Sequence, residues 1–322
     1  MGIPEASEQL RFLTNIQRVL EEGNFVTTYK FALLMSLADY AVIKGNDSGD
    51  ACTIMVSELS EGFVSYYWKQ VAPYYADGKD GMPCFLKYGT GKGAPTVVQK
   101  IMALNQDPRV RGSLFAAKRV GADWQKLINS TTLTIQRMPL WKLQVVSNEV
   151  VPFLYRQDMQ GMTITLLPGV LYCLRTHYPL LRSLIQAAWV RTVHKWNKAI
   201  LGHHELNDFL FGIQRQATQQ AYSVLREFQE GRCFYCNARI KSRGDIDHFI
   251  PWVRYPLHLG HNFVLSHETC NRRKSDSLAS LQDFDRWWQR NNENPSLITL
   301  FDQAGVLHDL PLTNTVGMWA YR

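Results

Sequence analysis

Two short pairs of metal-binding residues constrain this chain more than anything else in it: Cys233-Phe-Tyr-Cys236 and, thirty residues later, His267-Glu-Thr-Cys270. Both pairs have the two-residue spacing that lets one tight turn present two side chains to the same ion. Zinc takes four nitrogen or sulfur ligands in a tetrahedron, and two such pairs supply all four, leaving no open position. Cys233, Cys236, His267 and Cys270 therefore read as a closed, structural Zn²⁺ site that ties the segment between them into a small module. A lone CxxC also occurs in redox proteins, but these place it in a βαβ setting that is missing here.

The other three cysteines, Cys52, Cys84 and Cys173, are scattered among apolar neighbours and read as buried thiols rather than as a disulfide scaffold. With 46% hydrophobic and 20% charged residues over 322 positions, the composition is globular, and the formal charge of +7 favours a polyanionic partner. The longest apolar runs, 31–43 and 162–174, are too short to span a bilayer, and the first contains Asp39. No apolar block follows the N-terminus as a signal peptide would require, so the expectation is a cytoplasmic protein without a membrane partner.

Apolar periodicity and stop signals predict helices over about 5–22, 27–44, 57–76, 96–106, 113–129, 168–201 and 205–230. A short β-prone piece is expected around 131–146, and 151–157 is expected to pair with 162–166 as a hairpin across Asp158–Gly161. The fold class is mainly α with a small α+β module. Residues 1–204 are expected to form a mainly helical domain of unassigned role, with sensing, DNA binding and contact to a protein partner or a second copy all open. The loop GTGKGAPT resembles a phosphate-binding loop only superficially. Lys92 is followed by Gly93, and Leu86 stands where the first glycine is needed.

Between the two pairs, Asp245, Asp247 and His248 lie on an apolar strand-like run ending at Pro251, and Asn262-Phe-Val-Leu forms a second. After Cys270, Asn271-Arg-Arg-Lys274 opens a helical pattern carrying Trp287 and Trp288, which are read as core. His258 and His261 are read as loop polars.

Asp247-His248, Asn262 and Asn271, together with the zinc pairs, resemble the HNH endonucleases of the ββα-metal class, in the bacterial branch written CxYC…DHFIPW…HNxVLxHxxCNxxKSD. The resemblance covers about residues 225–285, and the third family letter, often His, is here Asn271. It implies a zinc-stapled ββα nuclease domain over 205–290, led in by a helix, with 291–322 as an extension. It also implies metal-dependent hydrolysis of phosphodiester bonds, with double-stranded DNA the favoured substrate and 5′-phosphate and 3′-hydroxyl ends as products. RNA cleavage is an alternative, and a non-catalytic zinc-stabilised nucleic-acid-binding protein is another. In bacteria such chains often serve anti-phage defence.

By the same resemblance, His248 is the general base, Asp247 and Asn271 hold a catalytic Mg²⁺ or Mn²⁺, and Asn262 braces the histidine-bearing segment. The roles suit the chemistry. Hydrolysis needs a base near neutral pKa and a hard cation on oxygen ligands beside the leaving oxygen. Arg272, Arg273 and Lys274 are expected at a helix start, facing backbone phosphates. Neighbours on a regular strand point to opposite faces, so a distorted strand end is expected at Asp247-His248.

Overall fold

The computed structural model describes residues 2–75, 83–156, 162–201, 206–212 and 215–322. Two compact units divide the chain, Met1–Gly212 and Ile213–Arg322. No described helix is long and apolar enough to cross a membrane.

The first unit is built around the helix Tyr29–Lys44, whose residues from Tyr29 to Ala38 are all buried. A helix apolar on every side must be surrounded. Here Val56–Gln70, Pro139–Leu143, Val170–Thr176 and Tyr178–Asn197 surround it. Phe31, Phe63, Tyr67 and Trp189 fill the centre, with ring centroids 5.5 Å apart for both the Phe63–Tyr67 and Tyr67–Trp189 pairs. The carboxylate of Asp39 accepts hydrogen bonds from the hydroxyls of Tyr66 (2.5 Å) and Tyr178 (2.7 Å), which compensates its removal from water.

Three expectations for this unit need correction. Residues 131–146 are mostly helical, in Ala122–Arg137 and Pro139–Leu143, and only Val145–Val146 is extended. That piece pairs with Glu149–Val150 across Ser147 and Asn148, both at positive φ as a two-residue hairpin requires. Second, the 162–166 segment pairs as Thr163–Leu166 with Cys52–Met55, not with 151–157. The buried Gln144 side chain takes the backbone N–H groups of Phe153, Leu154 and Tyr155 (2.9, 2.7 and 3.2 Å), leaving this stretch a single bridge, Tyr155 to Leu166. The expected turn at 158–161 lies outside the described residues. Third, Leu206–Phe211 belongs to this unit rather than to the second, because Phe211 packs edge-on against Trp189 at 5.2 Å.

The second unit begins with the amphipathic helix Arg215–Phe228, which turns through Glu230 and Gly231 (φ 52° and 66°) into the first cysteine pair. Strands Asp245–His248 and Phe263–Ser266 pair antiparallel with Asp245 opposite Ser266 and His248 opposite Phe263. The helices Glu268–Lys274, Leu281–Glu293, Ser296–Ala304 and Leu310–Ala320 complete it. Residues 291–322 are not an appendage. Leu297, Phe301 and Val306 join Val224, Leu225, Phe263 and Leu265 in one core. Trp287 is fully buried, stacks on Phe249 at 4.8 Å, and donates its indole N–H to the His261 carbonyl (2.9 Å). Trp288 is half-buried, so both tryptophans pack as expected.

Candidate functional site

Cys233, Cys236, His267 and Cys270 come together with their ligand atoms all within 4.8 Å of one another. Local sequence explains the first pair. Asn237 adopts φ 57°, a conformation asparagine tolerates, and its N–H then donates to the Cys233 carbonyl at 2.9 Å. The second pair straddles a helix start: His267 is the N-cap of Glu268–Lys274, and its backbone N–H donates to Cys233 Sγ at 3.4 Å. The ring Nε2 lies 3.3 Å from the Arg239 carbonyl, which can only accept, so Nε2 carries the proton and Nδ1 keeps its lone pair. Nδ1 is 3.3 Å from Cys236 Sγ and 3.9 Å from Cys270 Sγ. Those distances bracket the roughly 3.5 Å edge that zinc–ligand bonds of about 2.0 and 2.3 Å give a tetrahedron. The cluster could hold a metal such as zinc.

Beside it, the strand carrying Asp247 and His248 stays in regular register through His248, contrary to the expected distortion. The chain departs from the ladder only after Phe249, whose N–H still reaches the Asn262 carbonyl at 2.8 Å. Alternation therefore holds, and the two side chains meet different neighbours. Asp247 is nearly buried. It accepts from the Tyr235 hydroxyl at 2.5 Å and pairs with the Lys274 ammonium at 3.1 Å. Burial pushes its carboxyl above the ordinary range, with the Lys274 charge and the Tyr235 hydroxyl pulling the other way. His248 is buried among His258, Trp252 and Phe263. Burial, then the nearby His258 and Lys274, lowers its pKa to about 3, well below the near-neutral value expected of a general base, so the imidazole is neutral at physiological pH but a weaker base than expected.

Asn262 is fully buried and holds the loop that follows His248. Its side-chain oxygen accepts from Ile250 N–H (2.8 Å), and its amide donates to the carbonyls of Ile250 (3.1 Å) and Leu257 (3.0 Å). Asn262→Ala strands three backbone groups, at about 1–3 kcal/mol for each unsatisfied one. Partial relaxation makes a total near 3–5 kcal/mol the expected loss, measured as a fall in the urea midpoint of the second unit.

Asn271 donates to Asp245 at 3.3 Å rather than to Asp247, and its side-chain oxygen has no hydrogen-bond partner among the described residues. Arg272, Arg273 and Lys274 sit in the last turn of their helix, not at its start, so the expected dipole support for phosphate is absent. Arg272 and Arg273 are exposed, and Arg272 pairs with Glu268. Lys274 is turned inward: its ammonium meets Asp247 and the His248 carbonyl (3.0 Å).

No family model, curated protein or solved structure matches this chain. The site must be read from its own residues.

Sequence reasoning missed three participants. Tyr235 lies inside the first cysteine pair, and nothing in the sequence ties it to Asp247. Asp245 shares a strand face with Asp247 through the two-residue period, a usable signal. His258, expected as a loop polar, places its Nδ1 3.2 Å from His248 Nε2.

His261 also departs from expectation. It is fully buried with neither ring nitrogen partnered among the described residues. Burial, then Arg290 and His308, lowers its pKa to about 3. A histidine whose folded pKa lies below its unfolded value of about 6.5 stabilises fully above 6.5 and loses that contribution as pH falls toward 3. At 1.36 kcal/mol per pH unit, acidification to pH 5 should cost about 2 kcal/mol from this residue. His261→Phe should remove that part of the acid sensitivity, as read from urea denaturation at pH 7 and pH 5.

Proposed function

We propose that the second unit is a metal-dependent HNH endonuclease module that hydrolyses phosphodiester bonds in DNA, leaving 5′-phosphate and 3′-hydroxyl ends. One observation carries the reading. The segment that closes the cysteine–histidine cluster also starts the helix that brings Asn271 and Lys274 against Asp245 and Asp247, on the short strand whose last residue, His248, turns its ring to the other face.

The oxygen donors suit a hard divalent ion. Asp247 Oδ1 has only a long 3.5 Å contact to Lys274, the Asn271 oxygen is unpartnered among the described residues, and the Asp245 carboxylate adjoins it. Asp247 and Asn271, with Asp245 in support, are the residues that would hold Mg²⁺ or Mn²⁺. When bound, such an ion supplies positive charge at the leaving oxygen. The cysteine–histidine cluster suits Zn²⁺ by its distances, and zinc there would fix the helix start relative to the strand pair.

The chain's own groups do the rest. Neutral His248 has a lone pair with which to take a proton from the attacking water. Lys274 pairs with the buried Asp247 carboxylate and opposes the burial that raises its pKa. Asn262 fixes the backbone after His248 so that the imidazole does not move with the loop. Arg272 and Arg273, exposed and adjacent, are placed to meet backbone phosphates without reading bases.

The test is incubation of the full chain with plasmid, linear duplex DNA and total RNA, with Mg²⁺ or Mn²⁺ and with chelator. The expected outcome is metal-dependent cleavage of DNA. Cleavage of RNA alone would replace the substrate assignment, and binding of nucleic acid without cleavage would leave only a zinc-stabilised binding module.

A further inference from the structure

His258 lies ten residues after His248, and its Nδ1 sits 3.2 Å from His248 Nε2 with the ring planes 34° apart. The pair is clamped. Phe263 meets His248 and His258 edge-on with centroids at 5.0 and 5.1 Å, and Trp252 meets them at 5.4 and 5.7 Å. His248 Nδ1 has no hydrogen-bond partner among the described residues, and unlike the nitrogens of His261 it is not sealed from solvent. One ring nitrogen of His248 is thus engaged and the other is open.

Two neutral imidazoles joined by one hydrogen bond hold a single proton between them. If it belongs to His258 Nδ1, His248 must carry its own proton on Nδ1, and neither of its nitrogens has a lone pair to offer. If it belongs to His248 Nε2, the open Nδ1 has its lone pair. We propose that His258 accepts at Nδ1 from His248 Nε2–H and so holds His248 in the one tautomer whose unengaged nitrogen can act as a base. His258 is a positioning residue: it touches no reacting atom. The 3.2 Å contact fits either donor, so the choice of donor, like its catalytic consequence, rests on the nuclease reading above.

The proton inventory closes. On attack, the water proton moves to His248 Nδ1 and the hydroxide forms the new bond to phosphorus as the leaving oxygen departs. His248 is then an imidazolium with protons on both nitrogens. Its Nε2–H still donates to His258, and a hydrogen bond from a charged donor is stronger than the neutral one it replaces. The contact thus gains strength as charge develops, which is when a catalytic interaction counts.

Ring ¹⁵N spectra of the full chain labelled only at histidine, with His248 assigned from the signals lost in His248→Gln, read the tautomer without reference to activity. The expected result is a protonated Nε2 and an unprotonated Nδ1 in His248, with the preference weakened in His258→Ala. A protonated Nδ1 in the wild-type protein overturns the inference. On cleaved substrate, His258→Ala should lower kcat about 10–100-fold, the range for loss of a histidine's orienting partner, with KM little changed. His258→Asn, which keeps an acceptor near the position of Nδ1, should recover much of the loss. Cleavage by His258→Ala at the wild-type rate also overturns the inference. If the wild type cuts nothing, the nuclease reading fails, and the ¹⁵N measurement alone decides the tautomer.

Discussion

Cys236→Ser, or a strong chelator, is expected to release about one zinc ion per chain and to unfold the second unit while the helices of Met1–Gly212 keep their melting transition. The cluster joins the turn after Arg215–Phe228 to the start of Glu268–Lys274, and Cys233 is itself part of the second unit's core. Structural zinc contributes about 10–16 kcal/mol in small zinc modules, comparable with the roughly 5–15 kcal/mol that holds a whole domain folded. The first unit has its own core around Tyr29–Lys44 and does not depend on the cluster. Metal analysis with thermal denaturation followed by limited proteolysis checks this. Cys173→Ser, altering a buried thiol of the first unit, serves as the control that keeps its metal. A Cys236→Ser protein that retained zinc and the native transition of the second unit would contradict the assignment.

The second large effect is expected at His248. Replacing it with alanine should reduce cleavage about 10²–10⁴-fold, the usual contribution of a general base, while zinc content stays at the wild-type level. The loss is in chemistry rather than folding because the brace of the following loop is Asn262, which the substitution leaves in place. Asn262→Ala should lower the urea midpoint strongly and, in the fraction that stays folded, lower kcat less than His248→Ala does, because it loosens the imidazole without removing it. Measuring kcat and denaturation on both variants separates the two roles.

Much of the cluster was legible because its chemistry is local. The two-residue spacing in Cys233–Cys236 and in His267–Cys270 almost dictates a shared ion, and the structure brings those four together. The strand pair was legible too, since Asp245–His248 and Phe263–Ser266 are short apolar runs with turn signals between them. What failed to show was long-range side-chain chemistry. Nothing around Gln144 announces that its amide will capture three backbone N–H groups and prevent a hairpin. Lys274 looked like one of three surface cations because helical periodicity does not say that the last turn folds against Asp247. The position of Arg272 and Arg273 at the wrong end of their helix has a similar origin: the helix begins at the metal-binding pair itself, one turn earlier than the basic run suggests. The boundary between units was misplaced because Leu206–Phe211 has an apolar face for either neighbour, and only packing on Trp189 decides between them.

Hydrolysis of phosphodiester bonds by the residues around His248, the proposed activity, is open to a direct test. Wild type and His248→Ala, both with full zinc content, should be compared on end-labelled duplex DNA with Mg²⁺ or Mn²⁺, and the product ends identified. Fragments with 5′-phosphate and 3′-hydroxyl ends are expected from the wild type and almost none from the variant. Equal cleavage by the two proteins, or no metal-dependent cleavage by either, would contradict the proposed activity.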